Sequence, residues 1–129
     1  MAFIFYDTET TGTDKYFDQI LQFAAIKTDD DLNPIETFNI RCRLLPHVVP
    51  SPKALLANGV SVAELTGAPL SHFEMMRQVQ AKMNDWCGEC ATFIGWNSMR
   101  FDEEMLRQAY YQSLLPVYQT NTNGNAAPM

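Results

Sequence analysis

The sequence predicts an α/β domain: a mixed β-sheet, built from a three-strand antiparallel meander plus one parallel strand, flanked by helices. Three observations lead there. An apolar run opens the chain, two further β-type runs follow across a tight turn, and helical periodicity appears only later, around a fourth short apolar run. Residues 3–6, Phe-Ile-Phe-Tyr, are continuous enough for a strand covered on both faces. "ILQFAAIKT" (20–28) reads as the second strand, and "DDDLNP" (29–34) as a turn marked by Asn33-Pro34. "TFNIRCRLL" (37–45) alternates, with Phe38, Ile40, Cys42 and Leu44 on one face and Asn39, Arg41 and Arg43 on the other. That is a half-exposed strand, and the short turn makes it antiparallel to the second.

Residues 46–70 hold four of the seven prolines and two short helical pieces, near "KALLANG" and "SVAELTG". Ser71-His72-Phe73-Glu74 then has the form of a capping box. It opens a helix carrying Phe73, Met76, Val79, Met83 and Trp86 on one side, with His72 exposed in the first turn. "ATFIGW" (91–96) is a fourth, buried strand. Asn97 or Ser98 caps a last helix, whose acids Asp102, Glu103 and Glu104 come early and Arg107 later, as the helix dipole prefers. The first and fourth strands are expected at the centre of the sheet. Residues 119–129, polar and ending without another element, read as a tail.

A chain of 129 residues makes one domain with a real core. No stretch is apolar enough to cross a bilayer, and no signal peptide opens the chain, so no membrane partner and a cytoplasmic location are expected. The net charge of −6, from 15 acids against 9 Lys and Arg, argues against a partner held by a broad basic surface. It leaves room for a phosphate-bearing partner bridged by divalent metal. Cys42, Cys87 and Cys90 are an odd number, which argues against a disulfide framework. "CGEC" has zinc-knuckle spacing without a second ligand pair, so its thiols read as part of a turn.

"DTETTG" (7–12) is where chemistry concentrates. Side chains alternate along a strand, so Asp7 and Glu9 share a face and repel unless a cation stands between them. The same string resembles the opening of an EF-hand loop, but it follows a β-type run, not a helix, and the closing position holds Asp18. In "GWNSMRFDEEMLRQ" (95–108) Asp102 lies in the first turn of the last helix. If strands one and four are parallel neighbours, their C-terminal ends adjoin, and open α/β sheets place ligands at that edge. Asp7, Glu9 and Asp102 then converge on hard cations, Mg²⁺ or Mn²⁺.

"DTETTG" and "NSMRFD" closely resemble the first two motifs of the DEDDh 3′→5′ exonucleases. "DQILQFAAIKTD", "VPSPKALLANGVSVAE" and "GWNSMRFDEEMLRQAYYQSLLPVY" are similar to the bacterial exonuclease I branch, which degrades single-stranded DNA. The resemblance spans about residues 3–125. It implies a ribonuclease H-like fold and phosphodiester hydrolysis with two metal ions in the complete site. Asp7 would bridge both ions, Glu9 would bind one and position the terminal nucleotide, and Asp102 would serve the second. The backbone of Thr10, Thr11 and Gly12 would approach the 3′-terminal sugar. Asn97 and Phe101 would hold the helix against the sheet, while Arg107 and Tyr118 match positions facing the DNA strand.

The family's third motif, a histidine general base with a following aspartate as fourth metal ligand, has no counterpart. His47 lies in "LPHVVPSP" and His72 in the capping box, neither with an aspartate at the family's spacing. The chain thus reads as a single, incomplete exonuclease domain over 1–129, stopping before the last strand and helix. It is expected to be inactive or nearly so, and to form homo-oligomers through the apolar surface left exposed. Two other readings stay open: a non-catalytic nucleic-acid- or protein-binding module of this fold, and an oligoribonuclease-like RNA exonuclease.

Overall fold

The computed structural model describes residues 2–86, 91–95 and 101–116. Strands β1 (Ala2–Thr10), β2 (Ile20–Thr28) and β3 (Pro34–Arg41) come first. Helices α1 (Pro52–Asn58), α2 (Val62–Gly67) and α3 (His72–Trp86) follow, then β4 (Ala91–Ile94) and α4 (Asp102–Gln112). The sheet order is β3-β2-β1-β4, with β1 antiparallel to β2, β2 antiparallel to β3, and β4 parallel to β1. Among the described residues β1 is interior and β4 is an edge, which corrects the expectation that both are central. No described strand pairs beyond β4.

Local signals account for most boundaries. Asp29 Oδ1 accepts from the amides of Asp31 and Asn33, and Leu32 takes φ +64°, closing the β2–β3 turn tightly. Pro34 and Glu36 occupy the outer strand β3, where a missing amide and a charge both discourage further pairing. Gly59, at φ +66°, ends α1 with its amide on the Leu55 carbonyl. Ser71 Oγ accepts from the Glu74 amide at 3.1 Å, the forward half of a capping box.

The core lies on one face of the sheet. Ile4 and Tyr6 of β1, Phe23 and Ala25 of β2 and Ile40 of β3 point inward, against Met75, Met76, Val79, Met83 and Trp86 of α3 and Met105, Leu106, Ala109 and Tyr110 of α4. An aromatic file crosses it, Phe93–Tyr6–Phe23–Phe38–Trp86, with centroids 6.0–6.5 Å apart. Cys42 is buried beside Gln19, and burial pushes its thiol up to about 11, so it is an inert packing group. Cys87 and Cys90 lie outside the described residues.

Two expectations need correction. Among the described residues β1 is covered on one face only: Phe5 is 36% and Ile26 of β2 42% exposed, and they are register partners on the outer pleat. Both long helices pack on the other side. In α3, Phe73 faces solvent, whereas His72 and Met75 join the buried stripe. His72 is therefore not an exposed first-turn residue; it is 5% exposed, its Nε2 has no hydrogen-bond partner, and burial depresses its pKa from 6.5 to about 4. Among the described residues no helix is long and apolar enough to cross a membrane.

A candidate acidic active site beside a nucleotide-sized groove

The pleat of β1 sorts its last residues onto two sides. Asp7 and Glu9 point to the open face, while Tyr6, Thr8 and Thr10 are buried. Helix α4 meets the buried side through its first turn. Tyr6 Oη donates to Glu103 Oε1 at 2.6 Å, and Thr8 Oγ1 donates to Asp102 Oδ1. Asp102 and Glu103 are each only 4% exposed, so these bonds supply polar partners to acids that burial would otherwise leave costly.

The three predicted acids share one electrostatic neighbourhood. Glu9 has its pKa raised by partial burial and by the charges of Asp7 and Asp102, with Arg41 opposing. Asp102 has its pKa raised by burial and by Asp7, while the Thr8 hydroxyl pulls it down. An all-carboxylate set in mutual repulsion suits a hard divalent cation, whose charge would favour the ionised form of each acid. The set is open, however: Asp102 is turned onto Thr8, and among the described residues no three acidic, histidine or cysteine side chains are drawn together as ready metal ligands.

Thr8 is a residue that the sequence reading passed over. Its signal was a small hydroxyl-bearing side chain between the two acids, on the inward pleat facing the helix. Replacing it by valine keeps the shape and removes the donor. Thr8→Val should raise the Asp102 pKa further and destabilise the chain at neutral pH by about 1–3 kcal/mol. Carboxyl titration by NMR together with urea unfolding checks both; an unchanged Asp102 titration contradicts the bond's role.

Beside Glu9 a groove of about 540 Å³ opens, bordered by Glu9, Gly12, Lys53, Ala54, Ala57 and Phe101 among others. Helix α1 forms its far wall and is tied to the end of β1 at both ends. The Ser51 amide donates to the Thr11 carbonyl at 2.7 Å, and Asn58 Nδ2 donates to the Thr10 carbonyl at 2.9 Å. Small side chains at 54 and 57 keep the space clear. A Cβ on Gly12 would come within 3 Å of the Asp18 carboxylate, so glycine is required for Asp18 to reach Thr11 Oγ1 and the Asp14 amide, both at 2.8 Å.

The other predicted site residues fall out as follows. Thr10 and Gly12 line the groove; Thr11 is fully buried, its hydroxyl on Asp18 and Gln19, and does not. Phe101 both packs on the core and borders the groove. Arg107 faces a second, smaller cleft with Lys15 and Tyr16. His47 and His72 do not line the groove. Asn97 and Tyr118 lie outside the described residues.

Comparison with known proteins fits this geometry. Residues 4–123 match the RNase_T family, described as an exonuclease family. The chain is 31% identical over 127 residues to Exodeoxyribonuclease I of Haemophilus influenzae, covering 97% of this chain and 26% of that protein. With Exodeoxyribonuclease I of Escherichia coli it shares 29% over 118 residues, 91% of this chain and 24% of that one. Among solved structures, Exonuclease I from Methylocaldum szegediense superposes with a TM-score of 0.82 at 32% identity, over 96% of this chain and 26% of that one. Escherichia coli Exonuclease I in complex with a dT13 oligonucleotide gives 0.83 at 28% identity, again over 96% and 26%. The chain thus spans about a quarter of the length of these relatives. The four-stranded mixed sheet with its flanking helices has the ribonuclease H-like fold, and the chain belongs to the RNase_T exonuclease family.

Proposed function

We propose that this chain carries the first part of a 3′→5′ exonuclease site acting on single-stranded DNA, with Asp7, Glu9 and Asp102 as the residues that hold Mg²⁺ or Mn²⁺. The observation that carries this reading is the electrostatic coupling of the three acids: Asp7 and Asp102 both act on Glu9, which borders the groove. Two such ions, in the complete site, would activate water and stabilise the leaving 3′-oxygen. The chain's own residues do the rest. Thr8 holds Asp102 poised at the sheet edge, Ala54 and Ala57 leave room for a terminal nucleoside, and Phe101 offers it an apolar wall. Relatives solved with dT13 and dA16 oligonucleotides and with SSB-Ct support single-stranded DNA as the partner.

Neither histidine is placed to take a proton from water at the groove, so turnover by this chain alone should stay near background. Binding is therefore the informative assay: fluorescence anisotropy of a labelled single-stranded DNA in Mg²⁺, in EDTA, and against RNA and duplex DNA. Metal-dependent binding that favours single-stranded DNA is the expected result. Robust Mg²⁺-dependent nucleotide release by the purified chain would overturn its predicted inactivity. Metal-independent binding would favour a non-catalytic binding module, a reading to which the open ligand set also lends weight.

The open face of the sheet bears on oligomeric state. A shallow apolar concavity between Phe5, Ala24 and Ile26 runs across β1 and β2. We infer that homo-oligomers form through it, and light scattering should show mass rising with concentration. A clean monomer at high concentration would contradict this.

A further inference from the structure

The loop between β1 and β2 carries two of the most exposed aromatic side chains described, Tyr16 at 70% and Phe17 at 79%. They are not loosely held. Asp14 Oδ1 accepts from both of their amides, at 2.8 and 3.0 Å, and the Asp18 amide donates to the Asp14 carbonyl at 3.0 Å. A loop fastened this way keeps its aromatics in water at a steady cost, which a monomer's own packing does not explain.

Their surroundings point to a ligand. Tyr16 borders a cleft of about 260 Å³ with Lys15, Glu104, Arg107 and Gln108. Two cations face one acid there, in a chain whose net charge is −6. Lys15 Nζ is paired with Glu104 Oε2 at 2.9 Å, which joins the loop to α4 and leaves the arginine as the uncommitted charge. Arg107 Nε is shielded from solvent and has no hydrogen-bond partner. A guanidinium next to an exposed ring is the pairing that single-stranded nucleic acid uses: a cation for the phosphate and a flat face for the base. The cleft also adjoins the acidic site, because Asp14 borders the groove and Lys15 and Tyr16 the cleft, while Arg107 lies five residues beyond Asp102, about 7.5 Å further along α4.

We propose that Tyr16, extended by Phe17, is a stacking platform for a base of the single strand leading away from the acidic groove, with Arg107 contacting the adjoining phosphate. This rests on the single-stranded DNA reading above and adds a second subsite to it.

The test is anisotropy of a labelled oligothymidylate with the full chain in Mg²⁺. Wild type should bind; if it binds no single-stranded DNA, the functional reading falls and the platform with it. Tyr16→Ala should weaken binding about tenfold, and adding Phe17→Ala should weaken it further. An oligonucleotide abasic at the platform position should bind wild type and Tyr16→Ala alike. Tyr16→Trp should retain affinity and show indole fluorescence quenched on binding, a signature that a merely structural ring would not give. Arg107→Gln should reduce the salt slope by about 0.7, the share of one single-strand phosphate. Wild-type binding with unchanged affinity in the double alanine variant, or an unquenched tryptophan at 16, would overturn the platform and leave the functional reading standing.

Discussion

Asp7→Asn should abolish the response of this chain to divalent metal and, at the same time, make the metal-free chain more stable. Both signs come from one fact. The Asp7 charge raises the pKa of Glu9 and of Asp102, so at neutral pH three carboxylates are held together against their repulsion. Asparagine keeps the size and removes one charge. With solvent screening at the open face, relief of that repulsion is worth about 0.5 kcal/mol. The cation loses a direct ligand, and since loss of an outer-shell partner already costs about 10–100-fold in affinity, Mn²⁺ binding should fall by more than about a hundredfold. Calorimetric Mn²⁺ titration and urea unfolding of the same two samples check the pair. An unchanged metal affinity, or a less stable metal-free variant, contradicts the assignment.

Acid should unfold the chain through His72. In the folded state its pKa is about 4, against 6.5 when exposed, because burial disfavours the imidazolium and no partner compensates. Between those values the unfolded chain binds more protons than the folded one, so stability rises with pH across the window from 4 to 6.5 and is lost as pH falls through it. The difference amounts to about 3 kcal/mol by pH 4, a large part of the stability of a domain this size. Asp102 works in the opposite sense: with its pKa raised above 3.8, it takes stability away as pH rises through its own titration. Only the histidine contribution should vanish in His72→Leu, which fills the site without a titrating nitrogen. Urea midpoints across this pH range measure the slopes; a leucine variant with the wild-type slope would show that His72 is not the group.

The histidine also shows where sequence reading loses sight of a fold. The alternation from Phe38 to Arg43 was legible because solvent and core lie on opposite sides, and Ile40 and Cys42 are buried as that pattern requires, although the strand itself runs Pro34–Arg41 and not 37–45. The β2–β3 turn was legible from Asn33-Pro34, and the first turn of α3 from Ser71. What failed depended on partners far along the chain. Phe3–Tyr6 reads as a doubly covered strand, yet among the described residues helices cover only the Tyr6 side, and no local pattern records which face a distant helix will choose. In α3 the stripe holds at Met76, Val79, Met83 and Trp86 and differs only in the first turns, where His72 and Met75 are buried and Phe73 is not.

The candidate site divides the same way. Asp7 and Glu9 were visible from their spacing alone, and Asp102 from its place in a first turn combined with them. Thr8 and Tyr6 were not, because their importance arises only when α4 lies across β1 and brings Asp102 and Glu103 onto the inward pleat. The α1 wall of the groove was likewise hidden: its two ties, Ser51 to Thr11 and Asn58 to Thr10, join residues 40 and 48 positions apart and leave no trace in composition.

The measurement that bears most directly on the acidic centre is an anomalous-difference map from crystals of this chain grown with Mn²⁺. Manganese is expected beside Glu9, ligated by Asp7 and Glu9, with the Asp102 carboxylate swung from Thr8 toward the ion. Manganese bound elsewhere, or none at all while Asp102 stays on Thr8, would contradict it.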